Sequence, residues 1–221
     1  MKYCITLLFV FLLGSAFGQQ QMPSNINDFM IDCTRSNGNG TNRQLAIWFP
    51  PEFWHIANAQ NKAIPPALLK NIVDEMKEYM MFCVVDYTVS GTELSFADEE
   101  EIRKSIRLID SSKTIYTPLE DEDLSPTARE LLKSLKPTMA QLVGQFGEGM
   151  QVILFKAKKI NGKPSIELTR KNSFVLELAQ QRLKWSTPFA SLMPPKYCPI
   201  DKDIMKGNWD FCPEHGVKLD K

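Results

Sequence analysis

The chain has 221 residues, with 26 lysines and arginines against 26 aspartates and glutamates, and only two histidines. Balanced charge with no basic block argues against nucleic acid or an anionic membrane surface as partner. There is no Gly-x-Ser-x-Gly elbow, phosphate loop or His-Glu-x-x-His motif, which argues against the enzymes that announce themselves in sequence.

Met1–Gly18 has the three parts of a secretory signal: Lys2, the apolar run Ile5–Leu13, and small residues at Ala16 and Gly18. The apolar run is too short to span a bilayer, and no later segment is long and apolar enough to do so. The expected organisation is a signal peptide over 1–18, an α+β sandwich domain over 19–193 and a separate tail over 194–221. The expected compartment is secreted or periplasmic. Loss of the leader removes Cys4 and leaves Cys33, Cys83, Cys198 and Cys212. An even count in an exported chain predicts two disulfides. Of the three possible pairings, Cys33–Cys83 with Cys198–Cys212 is preferred, with a free buried Cys83 as the alternative.

Gln19–Asp28 is polar and is expected to fray. Ser36–Asn42 reads as a flexible turn, and its Asn39-Gly40-Thr41 is a glycosylation acceptor only in a eukaryote. Gln44–Phe49 reads as a strand ended by Pro50-Pro51. Phe49, Phe53, Trp54 and the lone His55 are read as core or a lid over it, not as a ligand patch. Pro65-Pro66 opens a helix to about Met80, with Leu69, Ile72, Val73 and Met76 at helical spacing.

Met80–Val89 is the densest run of strand-forming residues, with two apolar faces, so it is expected to be the central strand of a sheet. Asp86 breaks the pattern. It is read as a carboxylate bonded to a neighbour near the strand end, with an active-site acid as the sharper alternative. Ile102–Ile109 is expected as the next strand, turning at Asp110–Lys113 and returning through Thr114–Thr117. The acidic Glu120–Asp123 is read as a solvated face ahead of a helix capped by Ser125-Pro126. That helix is expected to kink or divide at Pro137. Gln151–Lys158 and Ser165–Thr169 flank an Asn-Gly hairpin signal, and Phe174–Leu178 and Arg182–Trp185 continue the alternation.

The stretch Ile106–Leu119, IRLIDSSKTIYTPL, resembles hairpins of exported immunoglobulin-like domains. With it, the expected fold is α+β: an immunoglobulin-like antiparallel β-sandwich with packed helices and a small C-terminal knuckle. In the tail, Cys198-Pro199-Ile200-Asp201 and Cys212-Pro213-Glu214-His215-Gly216 are two half-motifs followed by Val217-Lys218-Leu219. They resemble the Cys-Pro-x-Cys knuckles of a zinc ribbon, with Asp201 and His215 where cysteines would stand. That resemblance implies a four-ligand metal set of Cys198, Asp201, Cys212 and His215, all competent zinc ligands, in a structural and not a catalytic site. An oxidising compartment favours a Cys198–Cys212 disulfide without cofactor in its place, with structural zinc as the alternative. The whole chain resembles exported bacterial β-sandwich-like proteins that end in such a tail, which bears on compartment and architecture. The expected function is a non-catalytic exported protein that binds a protein or envelope component. The alternative is a zinc-dependent or carboxylate-based hydrolase, since dispersed carboxylate pairs leave little trace in sequence.

Overall fold

The computed structural model describes residues 26–62, 64–157, 159–160, 163–164 and 166–220. The leader-like segment and the Asn161-Gly162 turn lie outside the described residues.

A short helix, α1 (Ile26–Cys33), buries Phe29 and Cys33 and runs straight into a hairpin. Strands β1 (Thr34–Asn39) and β2 (Asn42–Phe49) pair antiparallel, with Asn39 opposite Asn42. Gly40 closes the turn at φ 62, a conformation that costs glycine little. The expected loose turn over Ser36–Asn42 is therefore mostly paired strand. Helix α2 (Pro51–Asn61) starts on a proline, whose missing N–H is harmless in the first turn. Its Phe53 meets Phe49 and Trp54 edge-on, with ring centroids 4.7 and 5.2 Å apart. This aromatic group is core, and His55 is exposed.

Helix α3 (Pro66–Met76) buries Ile72, Val73 and Met76 and delivers the chain into β3 (Tyr79–Ser90). Every residue from Tyr79 to Val85 is buried, as a central strand requires. β3 pairs with β2 along one edge and, through Tyr87–Ser90, with β4 (Glu93–Phe96) along the other.

The run Ile102–Ile109 is not one strand. It divides into helix α4 (Glu99–Ser105) and strand β5 (Arg107–Ile109). The cause is local. Asp98 Oδ1 accepts from the Glu101 N–H at 2.8 Å, and Glu101 Oε2 accepts from the Asp98 N–H at 3.2 Å. This capping box satisfies two orphan donors and starts a helix. Glu99–Arg103 and Glu100–Lys104 pairs, each four residues apart, support it. Ile102, Ile106 and Leu108 are nonetheless buried, so the apolar pattern was serving two elements. β6 (Ile115–Tyr116) returns beside β5, across a turn in which the Asp110 carboxylate accepts from the Ser112 and Thr114 N–H groups, both at 2.9 Å.

Helix α5 (Pro126–Leu142) is capped by Ser125, whose Oγ accepts from the Ala128 N–H at 2.9 Å. It continues through Pro137 as one helix and does not divide there. The buried Ala128 and Met139, one on each side of the proline, anchor both halves to the core. β7 (Gln151–Lys156) then pairs with Tyr79–Val84, so β3 changes partner from β7 to β4 across Val85 and Asp86. β8 (Lys159–Ile160) and β9 (Lys163–Pro164) form a small ladder, and the described part of Ser165–Thr169 is irregular chain and turn, not strand. β10 (Asn172–Leu178) and β11 (Gln181–Thr187) complete a second sheet in the order β11-β10-β5-β6.

The two sheets meet through aromatic rings. Trp48 packs edge-on to Phe174 at 4.8 Å, and Phe82 to Trp185 at 5.6 Å. The other face of β3 packs on α5, where Cys83 Sγ lies 3.8 Å from Met139 Sδ. The architecture is α+β, helices with antiparallel sheets. It does not contain the expected Cys33–Cys83 bridge. Thr34 pairs with Ile47, and Ile47 pairs with Cys83, so β2 stands between the two cysteines. Two strand spacings come to about 9–10 Å, beyond the roughly 7 Å that a disulfide spans. Both thiols are buried and free.

Candidate metal centre

The tail has a small core of its own, made of Cys198, Met205, Cys212 and Leu219 with Val217 against it. Two hairpin-like loops build it. In the first, β12 (Lys196–Tyr197) pairs with β13 (Ile204–Met205) around Cys198–Asp203. In the second, Phe211 bridges to Lys218 around Cys212–Val217.

The loops repeat one backbone pattern. The Cys198 N–H donates to the Asp203 carbonyl at 3.0 Å, and the Cys212 N–H to the Val217 carbonyl at 2.8 Å, each five residues on. The Lys202 N–H donates to the Cys198 carbonyl and the Gly216 N–H to the Cys212 carbonyl, both at 2.9 Å and both four residues back. Lys202 and Gly216 hold φ of 67 and 65. Glycine adopts that conformation freely, whereas lysine is strained there. Backbone N–H groups two and three residues on also point at each thiol: those of Ile200 and Asp201 at Cys198, and those of Glu214 and His215 at Cys212. Each loop therefore aims one sulfur and the side chain three residues later at a common point.

At that point Cys198, Cys212 and His215 form one close group, and Asp201 meets His215 in a second. His215 Nδ1 lies 3.5 Å from Cys198 Sγ, 3.6 Å from Cys212 Sγ and 3.5 Å from Asp201 Oδ2. Ligands on a tetrahedral zinc, at about 2.3 Å for sulfur and about 2.0–2.1 Å for nitrogen, stand roughly 3.5 Å from one another. The observed separations match that edge. A Cys198–Cys212 disulfide is not formed, and both cysteines are free and buried. Glu214, which the motif did not single out, also falls with Asp201 and His215 in a group that could hold a cation. Its place beside His215 in the second loop was the available signal.

A metal set needs deprotonated thiols and a neutral imidazole; the directions at Cys212 and Asp201 run with such a set, and those at Cys198 and His215 run against it. Burial pushes the Cys198 thiol up. Burial pushes Cys212 the same way, but the N–H groups of His215 and Glu214 and the His215 ring outweigh it and hold that thiol below its ordinary value. The bond to Cys212, and the charge of Asp201, push the His215 imidazole up. The N–H of Asp203 and the contact with Cys198 hold Asp201 below the usual carboxylate range.

Comparison with protein-family models, curated proteins and solved structures finds no match for this chain. Among the described residues, no helix is long and apolar enough to cross a membrane.

Proposed function

We propose that this is a non-catalytic exported protein that binds another protein or an envelope component, with C-terminal knuckles held by a structural zinc ion. The observation that carries the zinc assignment is the convergence of Cys198, Asp201 and Cys212 on His215 Nδ1 at 3.5–3.6 Å. With Asp201 completing the group of Cys198, Cys212 and His215, the site would have four protein ligands and no position for a reacting water, which supports a structural role over a zinc-dependent hydrolase. The two sheets joined by Trp48, Phe82, Phe174 and Trp185 support an immunoglobulin-like sandwich as the body. The partner-binding reading draws on the outside of the tail, where Tyr197, Ile200, Ile204 and Phe211 are large and exposed. Large apolar side chains left exposed within one short tail support a partner surface there. Export rests on the leader-like Met1–Gly18.

A carboxylate-based hydrolase would need two free acids in one cleft. Asp86 and Glu101 line a common cavity, but the Glu101 carboxylate is engaged in the capping box of α4. The test of the zinc reading is chelation followed by amide hydrogen exchange. Removal of metal is expected to abolish protection of the Cys198, Lys202, Cys212 and Gly216 amides while the β3 amides stay protected. His215→Ala is expected to do the same without chelator. Unchanged protection of the tail in both experiments would overturn the assignment.

A further inference from the structure

Away from the tail, a cavity of about 430 Å³ opens where β3 changes partner. Asp86 and Glu101 supply carboxylates to it, and Asn42, Gln44, Gln180 and Gln181 supply side-chain amides. No lysine, arginine or histidine is among its lining residues.

Gln44 is the telling residue. It is only 2% exposed, the most deeply buried polar side chain among the described residues. Its Nε2 donates to Asp86 Oδ1 at 2.7 Å, while its Oε1 has no hydrogen-bond partner among the described residues. Turning the amide over would set Oε1 against the carboxylate, so the orphan acceptor is held in place by Asp86. Buried acceptors are rarely left unpaired, and one beside a ligand-sized cavity asks for a donor from outside. The rim adds a second departure from routine structure: Ala179 and Gln180, neither of them glycine, hold φ of 47 and 67 in the β10–β11 turn.

The lining selects the class of ligand. Ionised carboxylates and an orphan carbonyl only accept, so the ligand must donate, and two carboxylates favour a positive charge. Tyr87 and Phe96 bring aromatic rings to the same cavity, their centroids 6.4 Å apart, and ring faces attract cations. A bare metal ion fits less well. Asp86 and Glu101 belong to neither of the close groups of metal-ligating atoms found among the described residues, and the space is far larger than an ion needs.

We propose that this cavity binds an organic cation, an ammonium or guanidinium group whose N–H donors are taken by Gln44 Oε1 and the Asp86 carboxylate. Its source is a free diamine or a basic side chain of a peptide. The site is independent of the metal in the tail.

The test is a titration of the full mature chain with putrescine and, separately, with the tripeptide Gly-Arg-Gly, followed through the Gln44 side-chain amide resonances. At least one is expected to give a saturable shift, and the tighter of the two identifies the source. Asp86→Asn, which keeps the shape and the Gln44 contact, is expected to weaken binding at least tenfold. Should that variant fold poorly, the wild type supplies the same test. Binding is expected to weaken as pH falls and Asp86, whose charged neighbour in the lining is Glu101, takes up a proton. Glucose and calcium chloride are expected to leave the Gln44 signals unmoved. The proposal is overturned if neither cation shifts Gln44 saturably, if Asp86→Asn binds as well as wild type, or if glucose or calcium binds as tightly as the cations.

Discussion

Asp86 stands at an odd place for a carboxylate, half-buried on the central strand. Burial pushes its pKa above the ordinary 3.8, the Gln44 N–H pulls it back, and Glu101 pushes it further up. The sign of the stability effect follows. The folded chain takes a proton at Asp86 more readily than the unfolded chain, so ionisation costs stability above the raised pKa. That cost fades as pH falls through the raised value toward 3.8. Asp86→Asn is therefore expected to melt above wild type at pH 7, with the gap closing as the pH approaches 4 in a thermal-melt series. A variant no more stable than wild type at pH 7 would contradict this account of Asp86. A destabilising acid on the central strand is the kind of expense that binding sites carry. Cys83 shows the opposite logic. Burial pushes its thiol up to about 12, and beside Met139 it behaves as a small apolar side chain.

Among the elements, α4 is where local chemistry overrode pattern. Ile102, Ile106 and Leu108 suit a strand by alternation and a helix by spacing, so the apolar residues alone do not decide. Asp98 and Glu101 do decide, because their two reciprocal bonds pay for helix initiation. Asp98→Ala is expected to destabilise the protein by about 1 kcal/mol in chemical denaturation. A loss below about 0.3 kcal/mol would show that packing of Ile102, and not the cap, holds the helix. Other expectations turned on tertiary structure: of a kink or a division at Pro137, the division does not occur. Pro137 is tolerated inside α5 because buried residues grip the helix on either side of it. The Cys33–Cys83 pairing failed for a reason invisible to cysteine counting: a strand register that puts β2 between them. By contrast, β3, the Ser125 cap of α5 and the β10 and β11 strands were legible, since each is carried by a dense local signal.

At the scale of the whole molecule, the chain divides its apolar residues between a large core under two sheets and a small one in the tail. The tail's four candidate ligands were legible because two Cys-Pro half-motifs repeat, each with a second donor three residues on. The repeated backbone bonds to Lys202 and Gly216 explain why that spacing brings the donors together. The cavity beside β3 was not legible, because Gln44 and Asp86 come from two strands, Glu101 from a helix and Gln180 from a turn, and they meet only in the folded chain. A small core of this size needs a staple to hold its shape, and sulfur can supply it as a disulfide or as a pair of zinc ligands. The most direct discrimination is metal content and intact mass of the mature protein purified without chelator. One zinc per chain, with Cys198 and Cys212 both reduced and shielded from alkylation until the metal is removed, is the predicted result. A metal-free protein whose mass is about two daltons lower, with Cys198 and Cys212 joined to each other, would contradict it.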